Sequence, residues 1–173
     1  MVLIYATGHL SGAHLNPAVS LGALIRGALS AGDFVAYVVA QLVGGVLGAL
    51  LAGTIFPTAD AAVEIEVGPA FLVEALFTFI LVYVVLNVAT SKDTEGNSFY
   101  GFAIGSVVVV GAFVVGPISG GGFNPAVALG LAVHGDFAWS NIWLYFVAPL
   151  VGGALAAFAF RAFNRHDLAK VDA

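Results

Sequence analysis

Cysteine is absent from the 173 residues, which excludes disulfides, thiolate-bound metals and thiol catalysis. Charge is almost as scarce. Only five residues are Lys or Arg, and charged side chains of both signs amount to 9%. The net charge of −5 sits in short hydrophilic stretches and the tail, so no nucleic-acid or polybasic lipid-binding function is expected. The opening MVLIYATGHLSG has no basic n-region of a signal peptide, and its apolar part is too short to span. No nucleophile and base pair, phosphate loop or cluster of metal ligands stands out, so an enzyme is the least favoured class and no metal or cofactor is expected.

What the chain has instead is apolar length. Hydrophobic residues make up 61% and mean hydropathy is +1.05, outside the range of soluble domains. Runs free of Asp, Glu, Lys and Arg cover 1–25, 34–59, 75–91, 96–135 and 137–160. Several reach the roughly 20 residues that a helix needs to cross about 30 Å of hydrocarbon. The expected fold is therefore an all-α membrane protein with a single integral domain. Spans are expected at 34–56, 68–90, 99–117 and 142–162, followed by a tail over 163–173.

The sequence repeats itself at an offset of 108 residues. SGAHLNPAVSLG (11–22) matches SGGGFNPAVALG (119–130) at eight of twelve positions, and YVVAQLVGGVLGA (37–49) falls on YFVAPLVGGALAA (145–157). A whole repeat reads span, span, box, span. Applied to the first copy, that order makes 1–8 the stub of a second span, with one and a half helices expected upstream; a short form with four spans and a stub is the alternative. All five basic residues, Arg26, Lys92, Arg161, Arg165 and Lys170, fall on one side of these spans. That side, with the C-terminus, is expected to be cytoplasmic. The two boxes then enter from opposite faces, an inverted repeat. Trp139, Trp143 and Tyr145 mark the expected outer end of the last span as an aromatic belt.

Each box reads as the start of a half-length helix. Asn is a favoured N-cap and Pro a favoured first helical residue, so 17–25 and 125–134 are expected to begin at Asn16-Pro17-Ala18 and Asn124-Pro125-Ala126. Ten residues, Pro125 to His134, span roughly 15 Å, half of the hydrocarbon thickness. A lone Asn-Pro-Ala is usually no more than a capped turn. Two of them in an inverted repeat would point positive helix ends at each other near the midplane. The amides of Asn16 and Asn124 would donate into a lumen, occupying the lone pairs of a passing water so that it accepts no proton from its neighbour.

At these residues the chain resembles the aquaporin, or major intrinsic protein, family, and the resemblance runs from GHLSGAHLNPAVSLG through VEALFTFILVYVV to GPISGGGFNPAVALG. It implies an inverted-repeat bundle of six tilted helices and two re-entrant half-helices, with the first span and most of the second absent here. It also implies a homotetramer in membrane lipid with one pore per subunit. In that family the second box usually continues with Arg, where this chain has Val127. Ala112 and Gly121 resemble two further positions of the outer constriction, and the fourth would precede Met1. Three small uncharged residues imply a wide, weakly polar filter. Passage of water with ammonia, urea, hydrogen peroxide or glycerol is expected. A structural or junctional protein that conducts little is the alternative, and a coupled transporter would need more buried charge than this chain carries.

Glu74 is the one acid inside a span. A proton relay would need ionisable partners that the spans lack, and the resemblance implies that it supports the second pore loop. His9 and His14 flank the first box without carboxylates to complete a metal site, so pore-lining and loop-supporting roles are expected. His134 and His166 are expected on solvated surface, with pH or partner regulation through His166 left open. Gly44, Gly45, Gly48 and Gly53, and Gly152, Gly153 and Ala156, have the spacing of closely packed helices.

Overall fold

The computed structural model describes residues 1–58 and 60–168. Among these there is no strand. Seven α-helices run in the order α1 (Val2–Ser11), α2 (Pro17–Arg26), α3 (Ala31–Ala52), α4 (Val67–Thr90), α5 (Tyr100–Ser119), α6 (Pro125–His134) and α7 (Ile142–Phe163). Short 3-10 turns lie at Lys92–Thr94, Trp139–Asn141 and Arg165–Leu168. The segment from α3 and those from α4, α5 and α7 are long and apolar enough to cross a membrane. The end of the expected tail, 169–173 with Lys170, lies outside the described residues.

Local chemistry explains where the helices depart from expectation. α3 starts at Ala31 rather than 34 because Ser30 caps it, its hydroxyl accepting the Asp33 N–H at 3.1 Å and donating to the Asp33 carboxylate at 2.7 Å. It stops at Ala52 rather than 56, where Gly53 and Thr54 turn back on Ala49 and Leu51. α5 continues two residues past Pro117. A proline forfeits only its own N–H, and Gly120 still closes the last turn by donating to Gly116 O at 2.7 Å, its φ of 83° being one that suits glycine.

The helices pack in a crossed arrangement. α4 and α7 make the most extensive contact, and each half-helix seats mainly against the long helix of the other repeat, α2 on α7 and α6 on α3. Glycines set these approaches. A Cβ on Gly153 would fall 2.7 Å from Ala18 O, and one on Gly45 would strike Ala126 O. Two cores result. One joins Val19, Leu81, Val82, Leu86, Ala156 and Phe160, and the other joins Ala70, Ala128, Ala132, Phe137, Leu144 and Tyr145.

The repeats differ at one pair of glycines. Gly152 meets the backbone of α4, where a Cβ would lie 2.9 Å from Phe79 N, whereas its repeat mate Gly44 has nothing within 4 Å. Gly152→Leu should therefore destabilise this chain by about 3 kcal/mol or more, as forced overpacking against backbone does, and Gly44→Leu by almost nothing. Thermal unfolding in detergent checks the contrast; equal losses would mean that the repeats are not packed differently.

Candidate functional site

Asn16 and Asn124 sit at the starts of α2 and α6 with the extended backbone of N-caps, and Pro17 and Pro125 follow as first helical residues. Asn16 Oδ1 accepts the Ala18 N–H at 2.8 Å, and Asn124 Oδ1 accepts the Ala126 N–H at 2.9 Å. The boxes are also tied to each other. Asn16 Nδ2 donates to Phe123 O at 2.9 Å and Asn124 Nδ2 to Leu15 O at 2.8 Å, a reciprocal clasp across more than a hundred residues of sequence. Each NH₂ thus spends one hydrogen on the opposite loop and keeps one. Sequence reasoning missed this bond, having assigned the whole amide to a lumen.

The accepting carbonyls are presented by strained backbone. Leu15 and Phe123 have φ of 50° and 47°, and Ala13 has 49°, a region that costs a non-glycine residue about 1–3 kcal/mol. The offset of 108 pairs Leu15 with Phe123 and Ala13 with Gly121, whose φ is 70°. The same strained path is therefore used in both loops, and in the second copy one of its positions is relaxed by glycine.

Glu74 accounts for the stability of the second loop. It is wholly buried in α4, Oε1 accepting Ser119 Oγ at 2.7 Å and Gly122 N–H at 2.8 Å, and Oε2 accepting Phe123 N–H at 2.6 Å. Tyr145 O–H donates to Ser119 O from the opposite side. The first loop is braced differently, by His14 Nδ1 at 3.1 Å from Ser20 Oγ, which also accepts Gln41 Nε2 at 2.9 Å. The ring of His14 meets that of Tyr37 edge-on at 5.3 Å. Tyr37 and Tyr145 occupy equivalent positions of the repeat, and that recurrence was the signal available for their shared bracing role.

Two expectations need correction. Tyr145 is not a belt residue: it is 2% exposed and stacked on Phe137 at 4.3 Å, because its hydroxyl is drawn inward to Ser119, while Trp139 and Trp143 are exposed. His134 is not solvated surface, since its ring is mostly buried with Nδ1 2.7 Å from Asp136 Oδ2. His166 is on exposed surface as expected, with Nε2 3.0 Å from Asp93 Oδ2.

An open cavity of about 890 Å³ carries Asn16 and Asn124 on its wall, with Val19, Leu81, Val85 and Ile104 supplying apolar surface. His9, exposed, lines it as well. Of the expected filter residues, Ala112 and Gly121 lie together, a Cβ on Gly121 falling 3.5 Å from Ala112 Cα. Val127, 45% exposed, lines a second open cavity of about 740 Å³ between α3 and α6. Among the described residues no group of three or more His, Cys, Asp or Glu is placed to hold a metal.

Comparison with known proteins gives one family. The family model described as major intrinsic protein matches residues 1–160. The chain is 37% identical to a glycerol uptake facilitator protein-like 6 of Lactiplantibacillus plantarum over 96% of its own length and 81% of that protein's. It is 36% identical to nodulin-26 of Glycine max, covering 96% of this chain and 62% of the relative, and 36% identical to aquaporin NIP1-1 of Zea mays, covering 92% and 58%. The chain thus spans about three fifths of the two plant relatives. Its fold resembles the X-ray structure of the aquaglyceroporin from Plasmodium falciparum with a TM-score of 0.74 and 25% identity, over 91% of this chain and 75% of that one.

Proposed function

The chain belongs to the major intrinsic protein family, integral multi-pass membrane proteins that are channels and not enzymes, and from that premise we propose that it lines a passive conduit for water and small uncharged solutes. The observation that carries this reading is the clasp between Asn16 and Asn124, which holds two half-helix N-termini together on one cavity wall. Each terminus bears about half a positive elementary charge. The remaining amide hydrogens of Asn16 and Asn124 are available to a water oxygen, whose hydrogens then point away, so a proton finds no acceptor and a cation meets repulsion. Glu74 and His14 act as loop supports, and Pro17, Ala18, Pro125 and Ala126 as the helix starts that aim the two amides. The family supports a homotetramer with its C-terminus in the cytoplasm, the side on which the basic residues of the sequence collect.

Ala112, Gly121 and Val127 are assigned to the outer constriction and make it broad, admitting ammonia, urea, hydrogen peroxide or glycerol. Two relatives with glycerol in their names, the facilitator-like protein and the aquaglyceroporin, support that breadth. Val127→Arg should lower glycerol and urea permeability roughly tenfold, equivalent to about 1.4 kcal/mol at the barrier, with water passage retained. Stopped-flow light scattering on proteoliposomes reads both; unaltered solute passage removes Val127 from the filter.

A further inference from the structure

The two halves of the Asn16–Asn124 clasp are not built alike. Phe123, whose carbonyl receives Asn16 Nδ2, is 2% exposed, and its ring stacks on Phe77 of α4 with centroids 5.5 Å apart and planes at 29°. The floor of that seat is Gly111 of α5. A Cβ there would lie 2.7 Å from Phe123 Cε2 and 2.9 Å from Phe77 Cδ1, closer than carbon atoms pack, so the seat exists because residue 111 has no side chain. Leu15, which receives Asn124 Nδ2 in the other half, is 47% exposed. At the offset of 108 the residue equivalent to Gly111 is Leu3, exposed as well. We infer that Gly111 and Phe77 are positioning residues: the seat they form for the Phe123 ring holds the strained Phe123 carbonyl on the Asn16 amide, and so fixes which side of that amide meets a passing water. The inference rests on the channel reading for its effect on flux and on geometry alone for the seat.

The backbone of Phe123 gives the ring its leverage. At φ 47° a phenylalanine occupies a region it rarely adopts, and relaxing to negative φ turns its carbonyl relative to its N–H. Two contacts oppose that relaxation. Glu74 Oε2 holds the N–H at 2.6 Å, and the seat holds the ring; with both fixed, φ cannot change. Asn16 is held at two points in turn, Oδ1 by the Ala18 N–H and Nδ2 by Phe123 O, so its amide does not swing about χ2. An amide that loses the second point swings, and for part of the time it turns its oxygen, an acceptor, toward the lumen in place of its hydrogens. Phe77, Gly111 and Phe123 are not part of the wall of the cavity that holds Asn16 and Asn124, and they carry no polar side-chain atom. Their influence on flux therefore passes through the amide alone.

Hydrogen exchange of the Asn side-chain amides, read by nuclear magnetic resonance on the whole chain, tests the seat directly. In the parent chain the Asn16 amide should exchange about fivefold more slowly than that of Asn124, a factor that one neutral hydrogen bond supports. Gly111→Ala should raise exchange at Asn16 about fivefold and leave Asn124 within about twofold. The added methyl group should do harm only against the ring: combined with Phe123→Leu, the same substitution should alter Asn16 exchange by less than about twofold. Phe77→Leu opens the seat without crowding it and should raise Asn16 exchange about threefold, which keeps the test standing if Gly111→Ala does not fold. Equal protection of the two amides in the parent, a folded Gly111→Ala chain with Asn16 exchange unaltered, or the same Gly111→Ala effect with and without the ring overturns the seat. In vesicles of the same variants the ratio of proton to water permeability should rise about fivefold with Asn16 exchange, a change that lost packing by itself does not produce. A constant ratio across a measured loosening overturns the link from seat to flux. A parent chain that passes no water, with the exchange pattern intact, leaves the seat standing and removes the channel reading instead.

Discussion

Replacing Glu74 by Ala should yield little or no folded protein, and replacing it by Gln should yield protein of lower thermal stability that conducts at least about tenfold less water. The carboxylate is wholly buried and receives three donors, Ser119 Oγ, Gly122 N–H and Phe123 N–H. Alanine leaves all three unpaired, at about 1–3 kcal/mol each, which approaches the about 5–15 kcal/mol of an ordinary fold. Glutamine keeps the shape and one acceptor oxygen, but its NH₂ faces a donor at Phe123 or at the Ser119–Gly122 pair. The strained Phe123 backbone is then free to relax, and its carbonyl leaves the Asn16 amide. Size-exclusion yield, unfolding midpoint and stopped-flow swelling read the three levels. A Glu74→Ala chain with the parent's midpoint would show that the loop needs no acid.

Asn124→Asp should keep the helix start and lose the clasp. The variant retains Oδ1 for the Ala126 N–H, but where Nδ2 donated to Leu15 O it now turns an oxygen toward an oxygen. The lost bond and the unsatisfied Leu15 carbonyl together cost about 2–4 kcal/mol, offset in part by attraction of the new anion to two positive helix ends. Water permeability should fall at least about tenfold, since the amide hydrogen offered to the lumen is gone, and cation leak should rise because the local potential has changed sign. Asn124→Ala removes the cap as well, for about 1 kcal/mol more, without adding charge. Proteoliposome swelling paired with a proton-sensitive dye separates the two variants; similar ion leak in both would mean that charge at this point does not govern exclusion.

The elements that sequence alone revealed are those decided locally. Asn-Pro at 16–17 and 124–125 marks helix starts because capping and a fixed φ act within one turn, and α2 and α6 begin at Pro17 and Pro125. The long helices follow from apolar length, and the buried acid at 74 announced that something must donate to it. What escaped was decided across the fold. A tyrosine near the end of an apolar run fits a membrane interface as well as a buried brace, and only the position of Ser119 selects the latter for Tyr145. The clasp uses main-chain carbonyls of Leu15 and Phe123, whose direction depends on backbone angles that neither residue type favours. His134 and Asp136 meet around Gly135, at φ 102°, a turn that hides the ring from solvent.

The crossed seating of the half-helices also sets the order in which the molecule can be finished. α2 lies against α7, with Ala18 O close to Gly153, so this re-entrant segment rests on a long segment made more than a hundred residues after it. Until Ile142–Phe163 has been synthesised, that short apolar piece has no permanent neighbour on that side and must wait at the bilayer for a partner more than a hundred residues downstream.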